Sequence, residues 1–436
     1  MSDVVLPREI AYAPSLPALP ECTNTEIVAA PVNGASFGPG QLIQFDLVSK
    51  GMFDPSSLYI RYKYTLTNGA GERSAIRGTP VYSFFQKFET IIGSSVVESQ
   101  NDYNQICNMY TNLQMDIAMK YGNASAYGWL NSESGLAVDG RYCTTSEVNS
   151  LAAPLPCLLS MAEKLVPLGM MPSVRIQLTT ESISNIFLPS ITNDGTTYKL
   201  PTAYSLTNVE LCYNIIDFNY QVYDIVQNMG DKFYIKSTSF QSMSQYISSG
   251  TTGTNDLIYN CRLASIKSLF VHFCGGASNR AVNGKFESID ITNAGGELVF
   301  TIAGIQYPSR SVSTLNNKSA TMMELKKAVG ALHKEGYNFS INADEFGWKD
   351  SDLGTVATPA PTTLAKPGKF WFGVNTEKLS SSNVLLSGVS TQSSPITLRV
   401  SLSSTALVDG YNITLNAMYD CLLEIDPHNK QCTVKQ

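Results

Sequence analysis

The sequence predicts an all-β chain folded as two tandem eight-stranded jelly rolls, a double jelly roll in which each unit carries a short helix and a long exposed loop. Three observations predict it. The 436 residues are 43% hydrophobic and only 15% charged, with 31 Gly and 20 Pro, the composition of a strand-and-turn protein. Apolar and polar residues alternate in several separated runs. Landmarks of the first half recur in the same order in the second. The length suits two domains, and a chain this long can bury roughly 75% of its unfolded surface without a metal or disulfide staple. The apolar content excludes a disordered chain, and no apolar run approaches the ~20 residues of a membrane-spanning helix.

The strand runs come first. Leu58, Ile60, Tyr62, Tyr64 and Leu66 alternate with Tyr59, Arg61, Lys63 and Thr65. Val174, Ile176 and Leu178 alternate with Arg175, Gln177 and Thr179; Ile396, Leu398, Val400 and Leu402 alternate with Thr397, Arg399, Ser401 and Ser403. Side chains on a strand repeat every two residues, so the first set of each run faces a core. Asn68-Gly69, Asn283-Gly284 and Asp409-Gly410 supply turns between runs.

Two segments keep helical spacing instead. Ile106, Met109, Tyr110 and Leu113 fall at i, i+3, i+4 and i+7, as do Leu325, Ala328, Val329 and Leu332. Each set makes one apolar stripe that must lie on a sheet. Thr321 and Glu324 have capping-box spacing, which predicts the start of the second helix there.

The two stripes superpose with a single shift of 219, and Tyr127-Gly128-Trp129 matches Phe346-Gly347-Trp348 at the same shift. Val174 and Ile396 are 222 apart. Upstream, Lys87–Ile91 (KFETI) matches Lys285–Ile289 (KFESI) at 198, which an insertion of 21 residues reconciles with 219. The run NVELCYNIIDF near 208–218 resembles NAMYDCLLEID at 416–426. Five ordered matches argue for a tandem duplication. The expected organisation is an arm at 1–24, a first roll at 25–219, a linker at 220–231, a second roll at 232–426 and a tail at 427–436. Polar excursions at about 121–154 and 342–368 are long enough to serve an interaction surface.

Catalytic and binding chemistry finds little to rest on. Nine Cys without a C-x-x-C pair argue against a zinc site or a disulfide framework; buried free thiols in a reducing compartment fit better. His272, His333 and His428 are far apart in sequence. His272 and Cys274 share a strand face, but no third group orients a thiolate–imidazole pair. Asp344-Glu345 is an acidic pair that a glycosidase reading would use, and Gly284-Lys285 is followed by Phe286, which breaks a phosphate-binding loop. No cofactor, metal or enzymatic activity is expected. Acids outnumber bases 36 to 30 and no Lys/Arg block occurs, so specific nucleic-acid binding is not expected. Met1 to Pro20 has neither a basic n-region nor a continuous apolar stretch, so no signal peptide is expected.

At these residues the sequence resembles the double jelly-roll major capsid proteins of the adenovirus and tectivirus lineage, most of all those of Polinton-like viruses, adintoviruses and virophages. The carrying segments are FETIIG…VESQNDYNQI (88–106) and LPCLLSMAEKLVPLGMMPSVRIQL (155–178) in the first half. In the second they are GKFESIDI (284–291), FTIAGIQYPSR (300–310) and NNKSATMMELKKAVGAL (316–332). The resemblance covers roughly 25–426. It implies a homotrimer of six rolls with a pseudo-hexagonal outline, tiling an icosahedral DNA-virus shell with separate vertex (penton) and minor proteins, assembled inside the host cell and located in the virion. Loops after the helices would form outward towers, here Gly122–Ala153 and Asn342–Gly368 with Trp129 and Trp348 as landmarks. The chain is short for the family, so modest towers are expected. Low charge suits a self-complementary tiling surface, since like charges on identical neighbours repel. The alternative is a secreted or surface carbohydrate-binding or carbohydrate-active jelly-roll protein.

Overall fold

Ile60, Tyr62, Tyr64 and Leu66 are at most 2% exposed, whereas Arg61, Lys63 and Thr67 between and after them face outward. The same alternation buries Val174, Ile176 and Leu178, and Ile396, Leu398 and Val400. In the computed structural model these runs are strands of two sandwiches. The structure describes residues 21–69, 73–129, 142–144, 149–188, 190–191, 198–228, 230–275, 285–293, 295–314, 318–332, 340–341, 343–347, 368–378 and 386–436.

The first roll contains β1 (Cys22–Ala29), β2 (Leu42–Asp46), β3 (Tyr59–Thr67), β4 (Phe85–Ile92), β5 (Ser95–Asn101), β6 (Asn149–Pro154), β7 (Val174–Thr180) and β8 (Ala203–Phe218). The second contains β9 (Phe233–Ile247), β10 (Thr254–Tyr259), β11 (Ile266–Gly275), β12 (Glu297–Ile302), β13 (Ile305–Ser313), β14 (Trp371–Asn375), β15 (Ile396–Ser401) and β16 (Tyr411–Asp426). The first roll's main sheets run β1-β8-β3-β6 and β2-β7-β4-β5; the second's run β9-β16-β11-β14 and β10-β15-β12-β13. Adding eight to each strand of the first roll gives the second. All pairings within these sheets are antiparallel. The inward faces of each pair of sheets form its core, with aromatic contacts such as Tyr62 edge-on to Phe85 and Phe300 stacked on Phe372.

Register gives the true correspondence of the halves. Strands β8 and β16 are both 16 residues long and correspond at a shift of 208, as NVELCYNIIDF and NAMYDCLLEID suggest. Ile92 pairs with Val174 and Ile302 with Ile396, so β4 corresponds to β12 at a shift of 210. The match of Lys87–Ile91 with Lys285–Ile289 is therefore corrected. Lys285–Asp290 repeats the apolar spacing of β4 but lies outside the main sheets, in a buried irregular segment between β11 and β12.

The three helices of eight residues or more among the described residues are α1 (Tyr103–Gln114), α2 (Tyr220–Gln227) in the expected linker, and α3 (Ser319–Ala328). Both α1 and α3 start after a residue in the left-handed region, Asp102 (φ 53°) and Lys318 (φ 55°), which aligns them at 216 and not 219. A slip of three residues is nearly one helical turn, so the stripe survives it. The capping box is also corrected: α3 begins at Ser319, no side chain caps it, and Thr321 is buried inside the helix. Gly373 on β14 lets α3 lie close to the sheet, since a Cβ there would meet Leu325 at 2.8 Å and Ala328 at 3.2 Å.

The ends also differ from expectation. Strand β1 starts at Cys22, inside the expected arm, of which residues 1–20 lie outside the described residues. The expected tail instead forms a strand, β17 (Gln431–Lys435), paired antiparallel to β16. No described helix is long and apolar enough to cross a membrane.

Candidate assembly surfaces

The residues that join the two rolls are largely polar, and most of them come from four places. Strand β5 and helix α1 present one face of the first roll. Strand β9 and the 285–292 segment of the second roll cover it. Gln105 and Asn108 on α1 donate to the main-chain oxygens of Lys285 (3.0 Å) and Phe286 (3.3 Å). The Ser340 hydroxyl donates to Asn112 Oδ1 at 3.1 Å. Tyr110 meets Phe240 of β9 edge-on, with ring centroids 5.7 Å apart. The Glu163 amide donates to the Lys236 carbonyl at 3.0 Å.

Buried charges sit across this junction in matched sets. Lys285 Nζ lies 2.7 Å from Asp102 Oδ1 and 2.6 Å from Glu181 Oε2, both on the first roll. Arg77 Nη1 lies 3.2 Å from Glu287 Oε2. Burial pushes the Glu181 carboxyl up, but the Lys285 charge and hydrogen bonds from Lys285, Asn104 and Asn185 outweigh it and hold the group below its ordinary value. Burial lowers Lys285, and its two carboxylate partners more than reverse that. Glu98 on β5 has no such cation. It accepts from Thr90 (2.7 Å), Gln100 (2.7 Å), the Leu158 amide (2.9 Å) and Ser239 of β9. Burial still wins over these hydrogen bonds and raises its carboxyl.

The helix stripes meet at this junction. Ile106, Met109 and Leu113 are buried and Tyr110 half-buried on α1; Leu325 and Ala328 are buried and Val329 half-buried at α3. Met109, Tyr110 and Leu113 face Ala328 and Val329 across a cavity of about 40 Å³. Leu332 is a correction: α3 ends at Ala328, and Leu332 beyond it is 37% exposed.

Of the expected towers, Trp129 stacks on Tyr127 at 4.9 Å with Lys120 Nζ 4.9 Å above its ring. Trp348, half of Gly122–Ala153 and most of Asn342–Gly368 lie outside the described residues. The candidate chemistry is otherwise engaged. Trp371 Nε1 donates to His272 Nδ1 at 3.0 Å, so the His272 Nε2–H faces the Glu287 carbonyl at 3.1 Å, and neither nitrogen is left to take a proton from Cys274. Burial lowers the His272 pKa to about 3. Glu345 pairs with Lys369 at 3.2 Å, and the Asp344 side chain lies outside the described residues. Eight described cysteines are free, and burial pushes thiols such as Cys157 and Cys261 up to about 12.

No protein-family profile and no curated protein matches the sequence. Solved structures do match along nearly its whole length. A chain of the PBCV-1 virus capsid superposes with a TM-score of 0.62 at 10% identity, covering 98% of this chain and 99% of that one. The Faustovirus major capsid protein gives 0.63 at 10%, covering 95% and 92%. The mavirus major capsid protein gives 0.54 at 10%, covering 99% and 95%. This chain has the double jelly-roll fold of viral major capsid proteins.

Within that double jelly roll the counterpart surfaces are unequally covered. Strand β5 buries Val97, Glu98 and Gln100, whereas its counterpart β13 buries only Val312 and leaves Ile305 59% exposed. Strand β9 buries Lys236, Ser237, Ser239 and Phe240 along the junction, whereas its counterpart β1 buries nothing and leaves Val28 46% exposed. These surfaces were not visible in the sequence. Ser239 and Ala29 hold equivalent places, and nothing in either residue type says which one is covered.

Proposed function

We propose that this protein is a major capsid subunit that forms homotrimers of six rolls, and that these tile an icosahedral shell of a DNA virus. The observation that carries the reading is the pair of equivalent rolls joined across a buried junction, aligned over almost their whole length with capsid proteins. Its role is structural. The 25–219 and 232–426 units supply one roll each, and loops near Trp129 and Trp348 project outward. Vertex and minor capsid proteins are its further partners. The carbohydrate alternative gains no support from Glu345, whose carboxylate is held by Lys369.

Native mass with negative-stain imaging of the same sample tests this. The expected species is three times the 47.4 kDa subunit, with pseudo-hexagonal outlines or closed shells. A monomer that never associates, alone or with co-expressed capsid components, would overturn it.

A further inference from the structure

Where the linker passes from one roll to the other, an apolar cavity of about 370 Å³ lies open at the surface. Met52 and Leu165 of the first roll, Val222 and Val226 of α2, and Phe233 and Ile235 of β9 line it. Val222 and Val226 are four residues apart and so share one face of α2. Among the described residues that line the cavity, Lys164 alone is charged. Helix α2 has eight residues and buries none of them. A helix this short is marginal without an apolar face packed against something.

The chain carries a cover that starts at the cavity itself. Cys22 of β1 pairs with Phe218, which also lines the cavity. The Glu21 carbonyl accepts from the Asn219 amide at 3.3 Å, one residue before α2 begins. The residues that precede Glu21 therefore join the described structure beside α2. Register gives the same placement. Thr23 of β1 pairs with Asp217 and Phe233 of β9 with Ile425, so β1 and β9 correspond at a shift of 210. The stretch before β1 is thus the first roll's counterpart of α2, the stretch before β9.

Its residues suit an apolar site. Ile10–Pro20 (IAYAPSLPALP) has no charged residue and carries Ile10, Tyr12, Leu16 and Leu19. Pro14, Pro17 and Pro20 have no amide hydrogen to leave unpaired. They also restrict the free chain, so less freedom is lost on docking. Eleven residues reach up to about 36 Å, three times the roughly 12 Å length of α2.

We infer that Ile10–Pro20 fills this cavity in its own chain, with Leu16 and Leu19 against Val222, Val226 and Phe233, and so clamps the linker between the rolls. The contact lies within one chain and goes beyond the capsid reading. A short tether holds the segment at an effective concentration on the order of millimolar, which favours it over a free peptide of equal affinity.

Hydrogen exchange of the full chain against a chain lacking residues 1–20 tests this. The Val222–Gln227 amides are expected to exchange at least about threefold more slowly in the full chain, with β16 alike in both. Leu16→Asp with Leu19→Asp should reproduce the truncation, whereas Val4→Asp with Val5→Asp, outside Ile10–Pro20, should not. Equal exchange at α2 with and without residues 1–20, or equal loss of protection from the two double variants, overturns the inference. Should the truncated chain fold poorly, the full chain decides. With p-benzoylphenylalanine in place of Leu19, irradiation of an equal mixture of light and heavy-isotope chains is expected to join position 19 to Val222–Gln227 or Phe233–Ile235 of the same chain. Adducts elsewhere, or adducts joining light to heavy chains, overturn it. Both readouts lie within one chain, so a native mass of one subunit would sink the trimer reading and leave this inference standing.

Discussion

Helices α1 and α3 begin from the same left-handed turn and occupy the same place in their rolls, yet their surroundings differ. Ten of the twelve residues of α1 are buried, against three of the ten in α3. The difference lies in the outward positions. On α1 these are amides, Gln105, Asn108 and Asn112, which bond to the second roll. On α3 the same places hold Thr321, Glu324 and Ala328, and Met323 and Lys327 beside them face solvent. One fold position thus serves as an internal joint in the first roll and as an open surface in the second.

The largest expected effect tests which face of α3 is structural. Leu325→Asp buries an unpaired carboxylate against β14 and is expected to cost at least about 4 kcal/mol, enough to prevent soluble expression. Leu332→Asp, past the helix end, should stay within about 0.5 kcal/mol in urea unfolding. Equal effects from the two would move the end of α3.

Next comes the charged joint. Lys285→Met leaves Glu181 and Asp102 without their cation, and removing one partner of a buried pair costs about 3–5 kcal/mol. Arg310→Met, on the open face of the second roll, is expected to change monomer stability by under about 0.5 kcal/mol. Because the folded Glu181 pKa lies below its unfolded value, its stabilisation is present above the ordinary carboxylate range and lost as pH falls through the folded value. The gap between wild type and Lys285→Met should therefore narrow in acid, measured by urea midpoints from pH 7 downward.

Tyr110→Ala removes the edge-on contact with Phe240. An aromatic pair adds about 0.5–1.5 kcal/mol beyond its area, so a loss of about 1–3 kcal/mol is expected, with Lys326→Ala at the equivalent place near zero. The smallest effect concerns Glu98. Its folded pKa is raised, so it opposes folding increasingly as pH climbs from its unfolded range through the folded value. Glu98→Gln should gain on the wild type across that window and run parallel to it below. A difference that is flat throughout would place Glu98 in a wetter site than its burial indicates.

Much of this architecture is legible in the residues. Alternation locates β3, β7 and β15, and the NVELCYNIIDF and NAMYDCLLEID runs give the correct pairing of β8 with β16. Two of the corrected readings show the physical reason most plainly. Lys285–Ile289 imitates β4 because buried segments share apolar spacing, but its Lys and Glu are matched to Glu181 and Arg77, 104 and 210 residues away, and to Asp102, which no local pattern reveals. Leu332 continues a helical period that the chain itself does not, since α3 gives way at Val329 and Gly330 turns with φ 72°. The assembly surfaces were the least legible. They depend on which of two equivalent strands is covered, and that is settled by the other roll.

The amides of α1 carry a consequence for how the chain is made. Gln105 and Asn108 are synthesised well before the Lys285 and Phe286 carbonyls that accept from them. At about 5–20 residues per second, the ribosome delivers those acceptors roughly 10–35 s after α1 emerges. During that interval the first roll can build its sheets, but its helix has only water to satisfy these groups. The amino-terminal half therefore waits, wet on one flank, for a segment still inside the tunnel, and a stalled or truncated nascent chain would present this unfinished flank to chaperones and proteases.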